Sequence, residues 1–116
     1  MTPETYLWTH TIDLVFDCYY ASNLSPFKQG HTTYVRIKAA AAGLAQHLRS
    51  GLRKPACPPG RHWLQRTELM LGELKLHLVI ARGLGFLSER AFYKLHTRTE
   101  KLAGFLANPR VQRRFV

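Results

Sequence analysis

Residues 68–106 read ELMLGELKLHLVIARGLGFLSERAFYKLHTRTEKLAGFL, and this stretch decides the fold. Apolar residues recur at spacings of three and four on both sides of a glycine-containing break, which is the pattern of an amphipathic helix on each side. The stripe of the first segment consists of Leu64, Leu71, Leu74, Leu78 and Ala81, widened by Met70, Leu76 and Ile80. We therefore expect two antiparallel helices joined by a tight turn, the first of them buried on most sides.

The break between these helices has the residues that such a turn requires. Gly83 and Gly85 can adopt the left-handed conformation that ends a helix, and the side chain of Ser88 can cap the next one. The second helix carries Phe92, Leu95, Leu102 and Leu106 on one face. It is expected to stop at Asn108-Pro109, which leaves a short tail rich in arginine.

The same periodicity extends the prediction to the rest of the chain. A chain of 116 residues is long enough for one domain with a self-supporting core. Thr2-Pro3-Glu4 is a helix start signal, and Tyr34, Ile37 and Ala41 begin the apolar stripe of a second helix. We predict a single all-α domain, an antiparallel up-down four-helix bundle, with helices at about 3–22, 32–54, 61–83 and 88–107 and a basic tail at 108–116.

Three general features bear on the compartment. The longest near-continuous apolar run, residues 76–81, is far shorter than the roughly 20 residues of a membrane span. The first residues have no basic region followed by an apolar core, as a secretory signal would. Cys18 and Cys57 are too few for a disulfide framework and are expected to be free thiols. These features predict a cytoplasmic location.

The positive charge of the chain is unevenly distributed. The formal net charge is +10, yet residues 1–27 contain no lysine or arginine, and residues 28–67 contain no acid. A basic field of this kind is typical of proteins that bind a polyanion, above all nucleic acid. The candidate nucleic-acid-binding residues are Arg36, Lys38, Arg49, Arg53, Lys54, Arg61 and Arg66. The alternative is that the charge serves solubility alone; membrane-surface binding is less favoured because the bundle uses the apolar faces.

Catalytic and metal-binding patterns are poor. Asp13 and Asp17 lie four residues apart and could share a metal, but acids near the start of a helix usually complement its dipole. Cys57 and His62 form an isolated pair without further ligands. No glycine-rich phosphate loop or nucleophile elbow is present. We therefore expect neither an enzyme nor a metal or other cofactor.

Aromatic residues suggest contacts outside the domain. Helix one contains more aromatic residues than one stripe of a bundle helix requires: Tyr6, Trp8, Phe16, Tyr19 and Tyr20. Some of them are expected to face another subunit, since aromatic residues are favoured at the centres of interfaces. Trp63, between Arg61 and Arg66, is the best placed aromatic residue for contact with a nucleic-acid base, but the sequence favours burial of its ring.

Residues 71–76, LGELKL, and residues 80–88, IARGLGFLS, look like the hallmark hairpin of a small bacterial four-helix-bundle family. That family includes proteins encoded in intervening sequences of ribosomal RNA genes and the accessory variability determinant (Avd) of diversity-generating retroelements. The intervening-sequence branch typically carries Asn-Ile-Ala-Glu-Gly in helix two, where this chain has AAAGL at residues 40–44. This departure and the short basic chain make the protein more similar to the Avd branch.

The resemblance implies a non-enzymatic accessory role. Avd proteins form a homopentameric barrel, bind nucleic acid and associate with the reverse transcriptase of the retroelement. The complex copies a template RNA with errors at adenines, and the resulting cDNA replaces a variable repeat in a target gene, a process called mutagenic retrohoming. The expected partners are thus a reverse transcriptase, RNA or cDNA, and further copies of the chain. The alternative is a protein-interaction scaffold or an rRNA intervening-sequence protein without a reverse transcriptase.

Overall fold

The computed structural model describes residues 1–23, 31–53 and 57–116, apart from the side chain of His31. This part of the chain is all-helical and contains no strand. The helices are α1 (Pro3–Asn23), α2 (His31–Leu52), α3 (Arg61–Gly83), α4 (Glu89–Ala107) and α5 (Pro109–Phe115). The bounds of the first four differ from the predicted ones by at most two residues.

The four long helices form an elongated bundle around one core. α1 packs against α2 and α4, and α3 packs against the same two helices. The molecule measures 46 × 23 × 21 Å along its principal axes. Each helix contributes buried residues at spacings of three and four, as in Leu7, Thr11, Leu14 and Cys18 of α1. The spacing of apolar residues in the sequence therefore predicts which side of each helix faces the core.

The predicted caps are confirmed at two helix starts. The side chain of Thr2 accepts a hydrogen bond from the backbone N–H of Thr5 (3.1 Å), and that of Ser88 accepts one from Ala91 (3.1 Å). Each bond satisfies a backbone N–H that has no partner within its own helix.

Only one of the two glycines proposed to end α3 has the left-handed conformation. Gly85 has a φ of 79°, whereas Gly83 lies within α3 and has no positive φ. The N–H of Phe86 donates to the carbonyl of Ala81 (2.9 Å), and the N–H of Gly85 donates to that of Arg82 (3.0 Å). This pair of bonds is a Schellman motif, in which a single left-handed residue is sufficient.

Residues 109–115, which were predicted only as part of a basic tail, form helix α5. Asn108 not only ends α4: its side chain also accepts a hydrogen bond from the backbone N–H of Arg110 (3.0 Å), and Pro109 occupies the first helical position. Both are start signals for a helix. Val111 and Phe115 of α5 are buried in the core.

The expectation that α3 is buried on most sides is wrong for the single chain that the structure describes. Leu76 and Ile80, which seemed to widen the buried stripe, are 57% and 44% exposed, and Leu69 is 65% exposed. Spacings of seven and four place these three residues on one side of α3, opposite Leu71, Leu74 and Leu78. The helix therefore has two apolar sides, of which the core covers one.

Candidate nucleic-acid interface

The cations predicted to bind nucleic acid are mostly exposed. Five of them lie on the surface of α2, of the residue after it or of α3: Arg36, Arg49, Arg53, Arg61 and Arg66. Lys38 is half-buried, with its ammonium group 5.7 Å from the centre of the Tyr19 ring in a cation–π contact. Lys54 lies outside the described residues. The exposed guanidinium groups can donate charge-assisted hydrogen bonds to phosphate.

These cations do not form one cluster. Tyr34, near the start of α2, donates a hydrogen bond to the carbonyl of Phe86 in the turn between α3 and α4. His47, near the end of α2, contacts Trp63 in the first turn of α3. Arg36 and Arg53 are 17 residues apart, which corresponds to about 25 Å along a helix. Arg36 therefore lies towards one end of the bundle, and Arg53 lies at the other with the start of α3.

A hydrogen-bonded network fixes this second end. Nε1 of Trp63 donates to the backbone carbonyl of His47 (3.0 Å), and Nε2 of His47 lies 3.0 Å from Oγ1 of Thr67. The Thr67 hydroxyl in turn donates to the Trp63 carbonyl (2.8 Å). Because the network joins α2 to the first two turns of α3, it sets where their arginines stand relative to each other.

Trp63 is therefore a structural residue rather than a surface for bases. Its side chain is 8% exposed, and its ring lies between those of His47 (5.4 Å between centres) and Phe115 (5.5 Å). Of the two readings of the sequence, burial is the one that the structure supports. The flanking Arg61 and Arg66 remain exposed.

Asp13 and Asp17 of α1 pair with cations of α4. Asp17 lies 3.5 Å from Nζ of Lys94 and pairs with Nε of Arg98, which also lies 3.9 Å from Asp13. Asp13 and Asp17, considered above as a metal site, thus face cations of the same chain. Within residues 1–23, 31–53 and 57–116, no group of three or more histidine, cysteine, aspartate or glutamate side chains could hold a metal ion.

Two further acids, both on α4, pair with cations of α3. Glu89 pairs with Arg82 (3.0 Å), and Glu100 pairs with Lys75. Hydrogen bonding and the positive charge of Lys75 lower the pKa of Glu100 below its ordinary value. Each of these pairs neutralises a cation on α3, which the sequence alone did not reveal.

Glu4 joins the two terminal segments of the chain. Its carboxylate accepts a hydrogen bond from Nε of Arg114 in α5 (2.6 Å). This hydrogen bond lowers the pKa of Glu4 below its ordinary value of 4.5, and burial opposes the effect only in part. The pKa of Arg114 is raised by the same contact. The direction of both shifts shows that the pair is held in its charged form.

The remaining cations form a separate population. Among the described residues, those with no carboxylate within 4.0 Å are Arg36, Lys38, Arg49, Arg53, Arg61, Arg66, Arg90, Lys101, Arg110 and Arg113. All the described cations of α2 belong to this group. The neutralised cations lie on α3, on α4 and at Arg114. The unneutralised ones lie on α2, at the start of α3 and on α5, together with Arg90 and Lys101 of α4.

A groove between α1 and α4 is also lined by cations. Its volume is about 320 Å³, and Tyr93, Lys94, Thr97, Arg98 and Lys101 line it together with His10. Lys94 and Arg98 are already paired with acids, so the groove holds less uncompensated charge than α2.

In the part of the chain that the structure describes, no helix is long and apolar enough to cross a membrane.

Comparison of the chain with protein-family models, with curated proteins and with solved structures found no match.

Proposed function

We propose that this protein is a non-catalytic accessory subunit that binds nucleic acid and partners a reverse transcriptase in mutagenic retrohoming of a diversity-generating retroelement. Two independent features support the proposal. The first is the resemblance of residues 71–88 to the hairpin of the Avd branch. The second, which carries the binding part, is the sorting of charge described above. Its ligand is the template RNA or the cDNA, and its location is the cytoplasm.

The proposed architecture is an antiparallel up-down four-helix bundle completed by α5. The side-chain contacts between α1 and α4 support it, because the ring of Tyr6 lies 4.2 Å from that of Phe105 while Asp17 faces Lys94. The start of α1 thus lies beside the end of α4, as expected for helices that run in opposite directions. For α2 and α3, Tyr34 near the start of α2 contacts Phe86 just after α3, and His47 near the end of α2 contacts Trp63 at the start of α3. These contacts also support an antiparallel pair.

The proposal includes a ring-shaped homo-oligomer, a pentamer as the resemblance implies. Two uncovered apolar faces support it. On α1, Phe16 and Tyr20 are 67% and 64% exposed; on α3, the face consists of Leu69, Leu76 and Ile80. Apolar patches of a few hundred Å² on a single chain mark interaction sites.

The positions of these two faces favour a ring over a two-fold dimer. α1 and α3 stand diagonally in the bundle, since both pack on α2 and α4, so their outer faces point to opposite sides. A contact between the α1 face of one copy and the α3 face of the next is heterologous and repeats until the rotation closes. The expected result is that Leu69→Gln with Leu76→Gln dissociates the oligomer, as measured by light scattering after size exclusion. An unchanged mass would exclude the α3 face from the interface.

The binding function is tested by fluorescence anisotropy with a labelled single-stranded RNA and with an RNA–DNA hybrid across a salt series. If Arg49, Arg53, Arg61 and Arg66 each neutralise one phosphate, log K falls with log salt at a slope of about −2.8, and affinity drops about 50-fold between 50 and 200 mM salt. The charge reversal Arg49→Glu with Arg53→Glu should abolish most of this binding. The matched control is Arg90→Glu with Lys101→Glu on α4, which removes the same charge elsewhere.

Two results would refute the binding function. One is absence of binding by the wild-type protein at 20 mM salt, which would leave the exposed apolar faces as the basis of a protein-only scaffold. The other is binding that Arg49→Glu with Arg53→Glu leaves unchanged in a variant whose helical content is also unchanged. The reverse transcriptase partner is tested separately: the flanking DNA is searched for a reverse transcriptase gene, and its product is tested for co-purification with this protein.

A further inference from the structure

Helix α5 returns the chain to the end of the bundle where α2 stops and α3 starts. The N–H of Gly60, the residue before α3, donates a hydrogen bond to the carbonyl of Phe115 (2.7 Å). The Phe115 side chain is 1% exposed, and its ring contacts that of Trp63. A shallow hollow at this end is lined by Glu4, Gly51, Leu52, Cys57, Pro58, Pro59, Arg114 and Phe115. The end of α5 is therefore in contact with the residues that flank Arg53 and Arg61.

Helix α5 has one apolar and one basic side. Val111 and Phe115 are buried four residues apart, and Nε2 of Gln112 donates to the carbonyl of Leu106 (3.0 Å). A helix of seven residues is marginal by itself in water, so these anchors hold it in place. Arg110 and Arg113 lie on the solvent side, with no carboxylate within 4.0 Å among the described residues. α5 thus presents two fixed, unneutralised guanidinium groups.

The charge around α5 is strongly one-sided. Glu4 pairs with Arg114 and leaves the neighbouring arginines without an acid. Glu68, two residues after Arg66, lies in the groove between α3 and α4 with Leu71 and Thr99. We name the four cations Arg53, Arg61, Arg110 and Arg113 the basic end. They come from three separate segments of sequence, which is why the charge pattern of residues 28–67 pointed to only two of them.

We propose that the basic end is a single binding surface for the phosphate backbone of nucleic acid, and that Arg110 and Arg113 of α5 contact the phosphates. The inference rests on the proposed function and extends it to two arginines of the basic tail that were not among the predicted binding residues. The surface binds backbone rather than bases, because the Trp63 and Phe115 rings at this end are buried and the Tyr6 ring is packed against those of His10 and Phe105. Its binding is accordingly independent of sequence.

The experiment compares two double variants that lower the net charge equally. Arg110→Glu with Arg113→Glu alters α5, and Arg90→Glu with Lys101→Glu alters the outer side of α4, where both cations are also exposed and unpaired. The probe is a labelled 30-nucleotide single-stranded RNA, with a second RNA of unrelated sequence and a polyglutamate of matched charge as competitors. Loss of two phosphate contacts predicts about 25-fold weaker binding at 0.1 M salt and a salt slope smaller by about 1.4.

The outcomes separate this inference from the proposed function. Weakening confined to the α5 pair, equal for both RNA sequences, supports the basic end. Equal weakening by both pairs, or weakening by the α4 pair alone, overturns the inference while the protein remains a nucleic-acid binder. Equal competition by polyglutamate would assign the surface to an acidic protein instead, and absence of wild-type binding would overturn both proposals. If charge reversal unfolds α5, Arg110→Gln with Arg113→Gln gives the same comparison without introducing acids.

Discussion

Gly51 is the position at which the structure reverses the expectation from helix propensity. It lies in α2, where alanine is normally more favourable than glycine by about 1 kcal/mol. However, the Cβ of an alanine at this position would lie 2.7 Å from Cδ1 of Trp63 and closer still to Nε1 and Cε2. We therefore predict that Gly51→Ala destabilises the protein.

The size of the effect follows from what holds the Trp63 ring. The ring is buried against Phe115, and its Nε1 donates to the carbonyl of His47. Forcing it aside costs about 1–3 kcal/mol for overpacking and about 1 kcal/mol for the strained hydrogen bond. After subtraction of the gain in helix propensity, the free energy of unfolding should fall by about 1–3 kcal/mol. For a chain of this size, that corresponds to a melting temperature lower by about 4–12 °C.

Thermal unfolding followed by circular dichroism measures this change, with urea unfolding as a second measurement. The matched controls are Gly72→Ala and Gly104→Ala, because both glycines are helical and a Cβ at either meets no atom within 4 Å. Each control should raise stability by up to about 1 kcal/mol. The reasoning would be refuted if Gly51→Ala were as stabilising as the two controls.

Two further predictions concern titratable side chains. Cys18 is buried, which raises the pKa of its thiol to about 12, whereas Cys57 is exposed. Iodoacetamide at pH 8 should therefore add one group per folded chain, and a second only in denaturant, as counted by mass spectrometry. Two groups on the native protein would contradict the burial of Cys18. Arg114 lowers the pKa of Glu4, so the stability that this pair contributes is complete above pH 4.5 and is lost as pH falls through the lowered pKa. The melting temperature of the wild type should exceed that of Glu4→Gln at pH 6 and approach it near pH 3. A difference in melting temperature that does not change with pH would exclude the ion pair as its cause.

Local signals in the sequence predicted the helices and their junctions well. The caps at Thr2 and Ser88 and the turn at Gly85 depend on residues close in sequence, so their chemistry can be read directly. The buried leucines of α3 and α4 also follow from periodicity. Asn108-Pro109 ends α4 as predicted, but the same two residues also start α5, and only the burial of Phe115 distinguishes a helix from a tail.

The candidate site depends on contacts between distant segments and was predicted only in part. The exposure of Arg49 and Arg53 follows from the apolar stripe of α2. The neutralisation of Arg98 by Asp17, and the position of Phe115 of α5 beside the start of α3, follow only from packing. Leu69, Leu76 and Ile80 are apolar residues of the same types as those in the core, so the sequence does not distinguish them from core residues. They are exposed because the opposite side of α3 packs in the core.

The separation of paired and unpaired charge also has a kinetic consequence. Because Asp13 and Asp17 of α1 pair with α4, the electric field around the molecule is asymmetric, and a polyanion at a distance beyond contact exerts a torque on it. The protein would turn so that α2 and α5 lead the approach, which increases the fraction of collisions that are productive. Such steering raises association rates by 10-fold or more at low salt and fades as the Debye length shrinks to about 8 Å at physiological ionic strength. Under the proposed function, the arrangement of ion pairs on one side of the bundle would set the rate at which the opposite side meets nucleic acid.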